Sequence, residues 1–124
     1  MSSEVLVIEG NVLFQHLYRA LFSALGCRAL CVRSKAEAMQ TLGRKTPELI
    51  VLELRLPDGS GLDAARCIRE LAGFRLTPIM LLSTAVSAED RLAIDQLGCA
   101  VFVAKPIDIE QFSGFAKRFL GAAA

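Results

Sequence analysis

Four places in this 124-residue chain put reactive side chains at the ends of short apolar runs. Glu9-Gly10 closes the run Val5–Glu9, and Glu53 closes Leu49–Glu53. Ser83-Thr84 follows Ile79–Leu82, and Lys105-Pro106 follows Val101–Ala104. If the runs are strands of one sheet, two carboxylates, two hydroxyls and an ammonium group converge on one crevice. A carboxylate delivered this way can serve as a covalent nucleophile, and a lysine beside it can pair with an anion. Any one of these polar residues at a strand end is unremarkable. All four together, with these identities, read as a site.

The elements that must position them are legible. With Arg28–Val32, the chain shows five apolar runs, each followed by a helical pattern. Runs this short and without polar alternation suit parallel strands buried on both faces. Ser34-Lys35-Ala36-Glu37 reads as a capping box, and Ser87 before Asp90 and Asp108 before Gln111 mark two further helix starts. Gly26, Gly43, Gly73 and Gly98 read as helix stops. Pro47, Pro78 and Pro106 fall in connections, where a missing amide costs little. A (βα)₅ alternation implies right-handed crossovers and helices on both faces, with the site at the carboxyl ends of the strands.

Composition narrows the function classes. The chain is 53% hydrophobic and 22% charged, enough for a real core, and its length fits one domain over residues 1–124. A formal net charge of +1 gives no electrostatic case for nucleic acid or a membrane surface. The start Met-Ser-Ser-Glu lacks a basic n-region and no apolar run approaches 18 residues, so a cytoplasmic protein is expected. Cys27, Cys31, Cys67 and Cys99 lack metal-ligand spacing, and His16 is the sole histidine. The cysteines are expected to be small buried hydrophobes. No Gly-rich phosphate loop, flavin fingerprint or catalytic triad pattern is present, so an enzyme is not expected. The tail Gly121-Ala122-Ala123-Ala124 reads as a frayed helix end or as the point where a longer protein was cut.

Four segments, in this order, resemble the receiver domains of two-component response regulators. They are Val-Leu-Val-Ile-Glu-Gly-Asn, Leu-Ile-Val-Leu-Glu-Leu-Arg-Leu-Pro-Asp-Gly-Ser-Gly, Pro-Ile-Met-Leu-Leu-Ser-Thr-Ala and Leu-Gly-Cys-Ala-Val-Phe-Val-Ala-Lys-Pro. The resemblance, which extends to chemotaxis-type regulators, spans essentially the whole chain. It implies a flavodoxin-like, doubly wound parallel sheet of order 2-1-3-4-5.

The resemblance also implies roles, and the departures fall on the reactive positions. Glu53 stands where the family has its phospho-accepting aspartate. Glu9-Gly10 stands where it has an acidic pair, one member of which binds Mg²⁺ beside the acceptor and the backbone carbonyl two residues beyond it. Gly10 has no side chain, so that ligand is missing. No cofactor is expected, and Mg²⁺ would be held weakly, by Glu9, Glu53 and the Arg55 carbonyl. Two carboxylates against Lys105 leave one formal negative charge, where three acids leave two, so the empty site needs a cation less. Ser83 matches the switch hydroxyl, Phe102 the aromatic switch, Lys105 the phosphate-pairing lysine and Pro106 the cis-peptide position. Thr84 replaces the usual Ala or Gly. Phosphoryl transfer is mostly positioning. One extra carbon–carbon bond, roughly 1.5 Å, pushes the Glu53 carboxylate into the space of the phosphoryl group and toward Lys105 or Ser83, where it would imitate a phosphorylated aspartate.

The expectation is therefore an atypical receiver that signals by protein contact without normal Mg²⁺-dependent phosphorylation. The alternative is a working phospho-switch using Glu53 or a neighbour such as Asp58. The implied partner is a histidine kinase or a downstream effector, with a homodimer face on the fourth helix, fifth strand and fifth helix, where Arg91, Asp95, Lys117 and Arg118 are candidate surface charges. On the first helix, Leu13, Leu17, Leu21 and Ala24 form one stripe and Phe14, Tyr18 and Phe22 another. The aromatic stripe is either an altered docking patch or packing against Phe112, Phe115 and Phe119 of the last helix.

Overall fold

A computed structural model describes residues 3–98 and 100–121, which leaves Cys99 and the alanine tail outside the described residues. Five parallel strands form one sheet: β1 (Glu4–Ile8), β2 (Arg28–Val32), β3 (Leu49–Glu53), β6 (Ile79–Ser83) and β7 (Ala100–Ala104). Their spatial order is β2-β1-β3-β6-β7, which is the expected 2-1-3-4-5 once a small hairpin is set aside. That hairpin, β4 (Arg55–Leu56) with β5 (Gly59–Ser60), lies in the stretch between Glu53 and the third helix. Five helices alternate with the strands: α1 (Val12–Ala24), α2 (Lys35–Leu42), α3 (Gly61–Glu70), α4 (Ala88–Gln96) and α5 (Ile109–Phe119).

The cap residues behave as their chemistry requires. Ser34 accepts from the Glu37 amide as N-cap, while Glu37 reaches back one residue further than a capping box requires and accepts from the Arg33 amide. Ser87 and Asp108 cap α4 and α5 through the amides of Asp90 and Gln111. Asn11 caps α1 with bonds from Leu13 and Phe14. Asp58 caps a helix that is distant in sequence: its two oxygens accept from Lys35 and Ala36 at 3.0 and 3.1 Å. These amides at the start of α2 hold its carboxyl below the ordinary carboxylate range.

The sheet divides the core in two. Leu6, Ile8, Ile50, Leu52, Ile79 and Leu81 face α2, α3 and α4. Val5, Val7, Leu49, Val51, Met80, Leu82 and Val103 face α1 and α5. On this second side the aromatic stripe of α1 does the packing: the Tyr18 ring stacks on Phe112 at 5.7 Å and Phe22 meets Phe112 edge-on at 5.4 Å. The leucine stripe is more exposed: Leu13 is 78% exposed and Leu17 half-buried, while Leu21 packs at the edge of this core. Cys27, Cys31 and Cys67 are free and half-buried, with Cys27 and Cys31 packed against the α1/α5 core, so the expected small buried hydrophobes are less deeply placed than their type suggests.

Gly61 opens α3 directly behind the site. Its amide donates to the Leu54 carbonyl at 2.8 Å, and a Cβ there would collide with the Glu53 carbonyl. Because the obstacle is backbone, Gly61→Ala should destabilise the fold by about 2–3 kcal/mol, read as a lower urea midpoint. An unchanged midpoint would show that the β3–α3 connection is not held this tightly.

Candidate functional site

Side chains alternate across a strand, so each face of the sheet carries its own row to the strand ends. Val5 and Val7 lie on the α1/α5 face, and Glu9 continues their row. Glu53 continues the row of Leu49 and Val51, and Lys105 that of Val101 and Val103. Alternation alone therefore brings two acids and a lysine together over α1. Ser83 continues Ile79 and Leu81, the row of the opposite face.

The three charges are in contact. Lys105 Nζ donates to Glu9 Oε1 at 2.8 Å and lies 3.5 Å from Glu53 Oε1. The first is a charge-assisted hydrogen bond, and the second an ion pair beyond good hydrogen-bond length. The Phe14 ring roofs the ammonium, its centroid 3.8 Å from Nζ. Lys105 and Glu9 are buried, with side chains only 4% and 5% exposed. The other oxygens are engaged by backbone: Glu9 Oε2 accepts from the Asn11 amide and Glu53 Oε2 from the Leu54 amide. Gln15, buried on α1, donates to the Glu9 carbonyl at 2.6 Å and fixes the end of β1. Asn11, Phe14 and Gln15 were not assigned to the site from sequence. The signal for them was their place at the N-cap and start of a helix that begins three residues after Glu9.

Ser83 is fully buried, and its Oγ accepts from the Ala85 amide at 3.4 Å. It borders a cavity of about 130 Å³ lined also by Arg55, Ser60, Leu62 and Asp90, on the α3/α4 side. Among the described residues Glu53 makes no hydrogen bond to Ser83, so of its two expected reaches Glu53 makes only the one toward Lys105. Phe102 is half-buried against the α3/α4 core, with the Arg91 guanidinium 5.4 Å from its ring centroid. Thr84 is exposed, and the Lys105–Pro106 peptide is cis.

Mg²⁺ wants near-octahedral oxygens, and Glu9 and Glu53, the two carboxylates expected to hold it with the Arg55 carbonyl, each already meet Lys105 and a backbone amide. Gly10 contributes no oxygen, and a Cβ there would meet the Pro57 ring at 3.0 Å. Among the described residues no cluster of three acidic, histidine or cysteine side chains suits a metal.

The profile of the Response regulator receiver domain family matches residues 5–115. The chain belongs to that family. This receiver is 30% identical over 123 residues to the polar-differentiation response regulator DivK of Brucella ovis, covering 99% of this chain and all of the relative. Among solved structures, it is similar to the receiver domain of a sensor histidine kinase from Pseudomonas aeruginosa PAO1, which has a magnesium ion coordinated in its active site cleft. That match has a TM-score of 0.86 and 28% identity, over 98% of this chain and 99% of the other. The chemotaxis response regulator CheY4 of Vibrio cholerae shares the fold, with a TM-score of 0.87 and 18% identity, over 96% and 99%. The chain is thus a receiver domain of two-component signalling. Among the described residues no helix is long and apolar enough to cross a membrane.

Burial pushes the Glu53 carboxyl above its ordinary value. Lys105 opposes that shift and the Glu9 charge adds to it. A carboxyl raised on folding favours its protonated form. Its contribution to stability is present below the unfolded value and lost as pH rises through the folded one. Glu53→Gln stays neutral throughout. The stability of the wild type relative to Glu53→Gln should therefore fall as pH rises from the ordinary glutamate value of about 4.3, measured by denaturant melts at each pH. A gap that widens in favour of the wild type would reverse the sign of the effect.

Proposed function

We propose that this receiver signals through protein–protein contact without Mg²⁺-dependent phosphorylation of Glu53, and that it is not an enzyme. The observation that carries this reading is the prior engagement of Lys105. The lysine that would pair with a phosphoryl group already donates to Glu9 at 2.8 Å, faces Glu53 at 3.5 Å and lies under Phe14. The missing carboxylate at Gly10 supports it, because attacker, phosphorus and leaving group need a metal to line up. Glu53 imitates a phosphorylated aspartate toward Lys105 alone, and Ser83 takes no part in that imitation.

Asp58 is a poor substitute acceptor, since both its oxygens cap α2. The partner class that fits is a histidine kinase or a downstream effector in the cytoplasm. Arg91, Asp95, Lys117 and Arg118 are exposed on α4 and α5, where a homodimer would form.

Incubation with a small phosphodonor and Mg²⁺, followed by intact-mass measurement, tests the reading. The wild type should gain no phosphoryl group. A Gly10→Asp, Glu53→Asp double variant should gain one, provided the Pro57 ring yields a few tenths of an ångström. A stoichiometric gain on the wild type would refute the proposal.

A further inference from the structure

Among the described residues, Tyr18 Oη is the fully buried side-chain oxygen or nitrogen that has no hydrogen-bond partner. Tyr18 is 1% exposed, clamped between two rings: Phe14 at 6.2 Å and 24°, and Phe112 at 5.7 Å and 16°. A phenylalanine would fill this slot without a polar burden. A buried hydroxyl without a partner loses its bonds to water and gains none in return, so its presence in an otherwise aliphatic and aromatic layer calls for a partner.

The direction of the hydroxyl follows from helix geometry. Side chains on a helix lean toward its N-terminus. The N-terminus of α1 lies at the site, since Asn11 caps it and bonds to Glu9. Tyr18 therefore leans back along Phe14, whose own ring touches Lys105. Beneath it the sheet offers Val7, Val51 and Val103, and the next residues of those rows are Glu9, Glu53 and Lys105. The facing helix α5 buries Phe112 and Ala116. The acids whose charges reach Tyr18 are Glu9 and Glu53. After burial itself, the charges of Glu9 and then Glu53 are what raise the tyrosine further above its ordinary value.

The acids have capacity to spare. An ionised carboxylate offers about four lone-pair sites, and one bond is made at each of Glu9 Oε1, Glu9 Oε2 and Glu53 Oε2. Buried waters commonly join such groups, with about three hydrogen bonds each.

We infer that one buried water bridges Tyr18 Oη to the Glu9–Glu53 carboxylate pair, which makes Tyr18 a positioning residue of the site. Tyr18 donates its O–H to the water, and the water donates to a carboxylate oxygen. The bridge ties the middle of α1 to the acids, so a displacement of α1 reaches Glu9 and Glu53 through Tyr18. This inference holds whether or not Glu53 is ever phosphorylated.

Tyr18→Phe tests it with two readouts. The bridge predicts a melting temperature lower by roughly 3 °C or more, and a moved side-chain carboxyl ¹³C resonance of Glu9 or Glu53 at fixed neutral pH. A melting temperature that holds or rises would mean that a truly orphaned hydroxyl had been removed, and would overturn the inference. So would unmoved carboxyl resonances. On the wild type, a nuclear Overhauser contact between the Tyr18 ring protons and a bound water should be present, and its absence would equally overturn the inference. None of these outcomes depends on the phosphodonor result.

Discussion

The site is organised around the burial of one ammonium group. Lys105 carries its charge into a place where its side chain is 4% exposed. Removing such a charge from water costs several kcal/mol after relaxation, and only close, well-bonded counter-charges offset it. Glu9 supplies the short bond, Glu53 a longer attraction and Phe14 the electron-rich face of its ring. Each of the three is then constrained in turn: Glu9 by the Asn11 amide and by Gln15 at its carbonyl, Glu53 by the Leu54 amide, and Phe14 by its stack on Tyr18. The carboxylates of this receiver are thus held by the protein's own cation.

That arrangement gives the two departures from the family pattern a common physical sense. With Gly10 where the resemblance sets an acid, the crevice holds one negative charge fewer, and the lysine balances one of the two carboxylate charges that remain. With Glu53 in place of aspartate, the carboxylate extends far enough to share that lysine. Neither change alone has this result. An aspartate at 53 would end about one carbon–carbon bond, roughly 1.5 Å, further from Nζ along the chain. An acid at Gly10 would press against the Pro57 ring and restore the repulsion that a cation relieves.

Much of this was legible in the residues. Five apolar runs without alternation announce strands buried on both faces, and the caps at Ser34, Ser87 and Asp108 fall at real helix starts. The identities of Glu9, Glu53 and Lys105 marked the site. What the pattern obscured were choices between nearly equal faces. On α1 both a leucine and an aromatic stripe are apolar enough to pack, and the aromatic one wins because Phe112 offers ring surface to Tyr18 and Phe22. The split between Ser83 and the charged trio was available from strand alternation, since Ser83 shares its row with Ile79 and Leu81. Convergence at strand ends hid it. Asp58, read as a spare acceptor, is a cap for α2 across 23 residues of sequence, a contact that no local pattern announces.

We propose that Lys105, held by Glu9 and Glu53 under the Phe14 ring, leaves no place for a phosphoryl group. Beryllofluoride with Mg²⁺ occupies such a place in a receptive site without covalent chemistry, so amide resonances report on receptivity directly. In a titration of the wild type, the amide signals of Glu53, Ser83, Ala85 and Lys105 should stay where they are up to saturating reagent. Concerted, saturable shifts at these residues would show that the site opens to a phosphoryl-like group and would contradict the account.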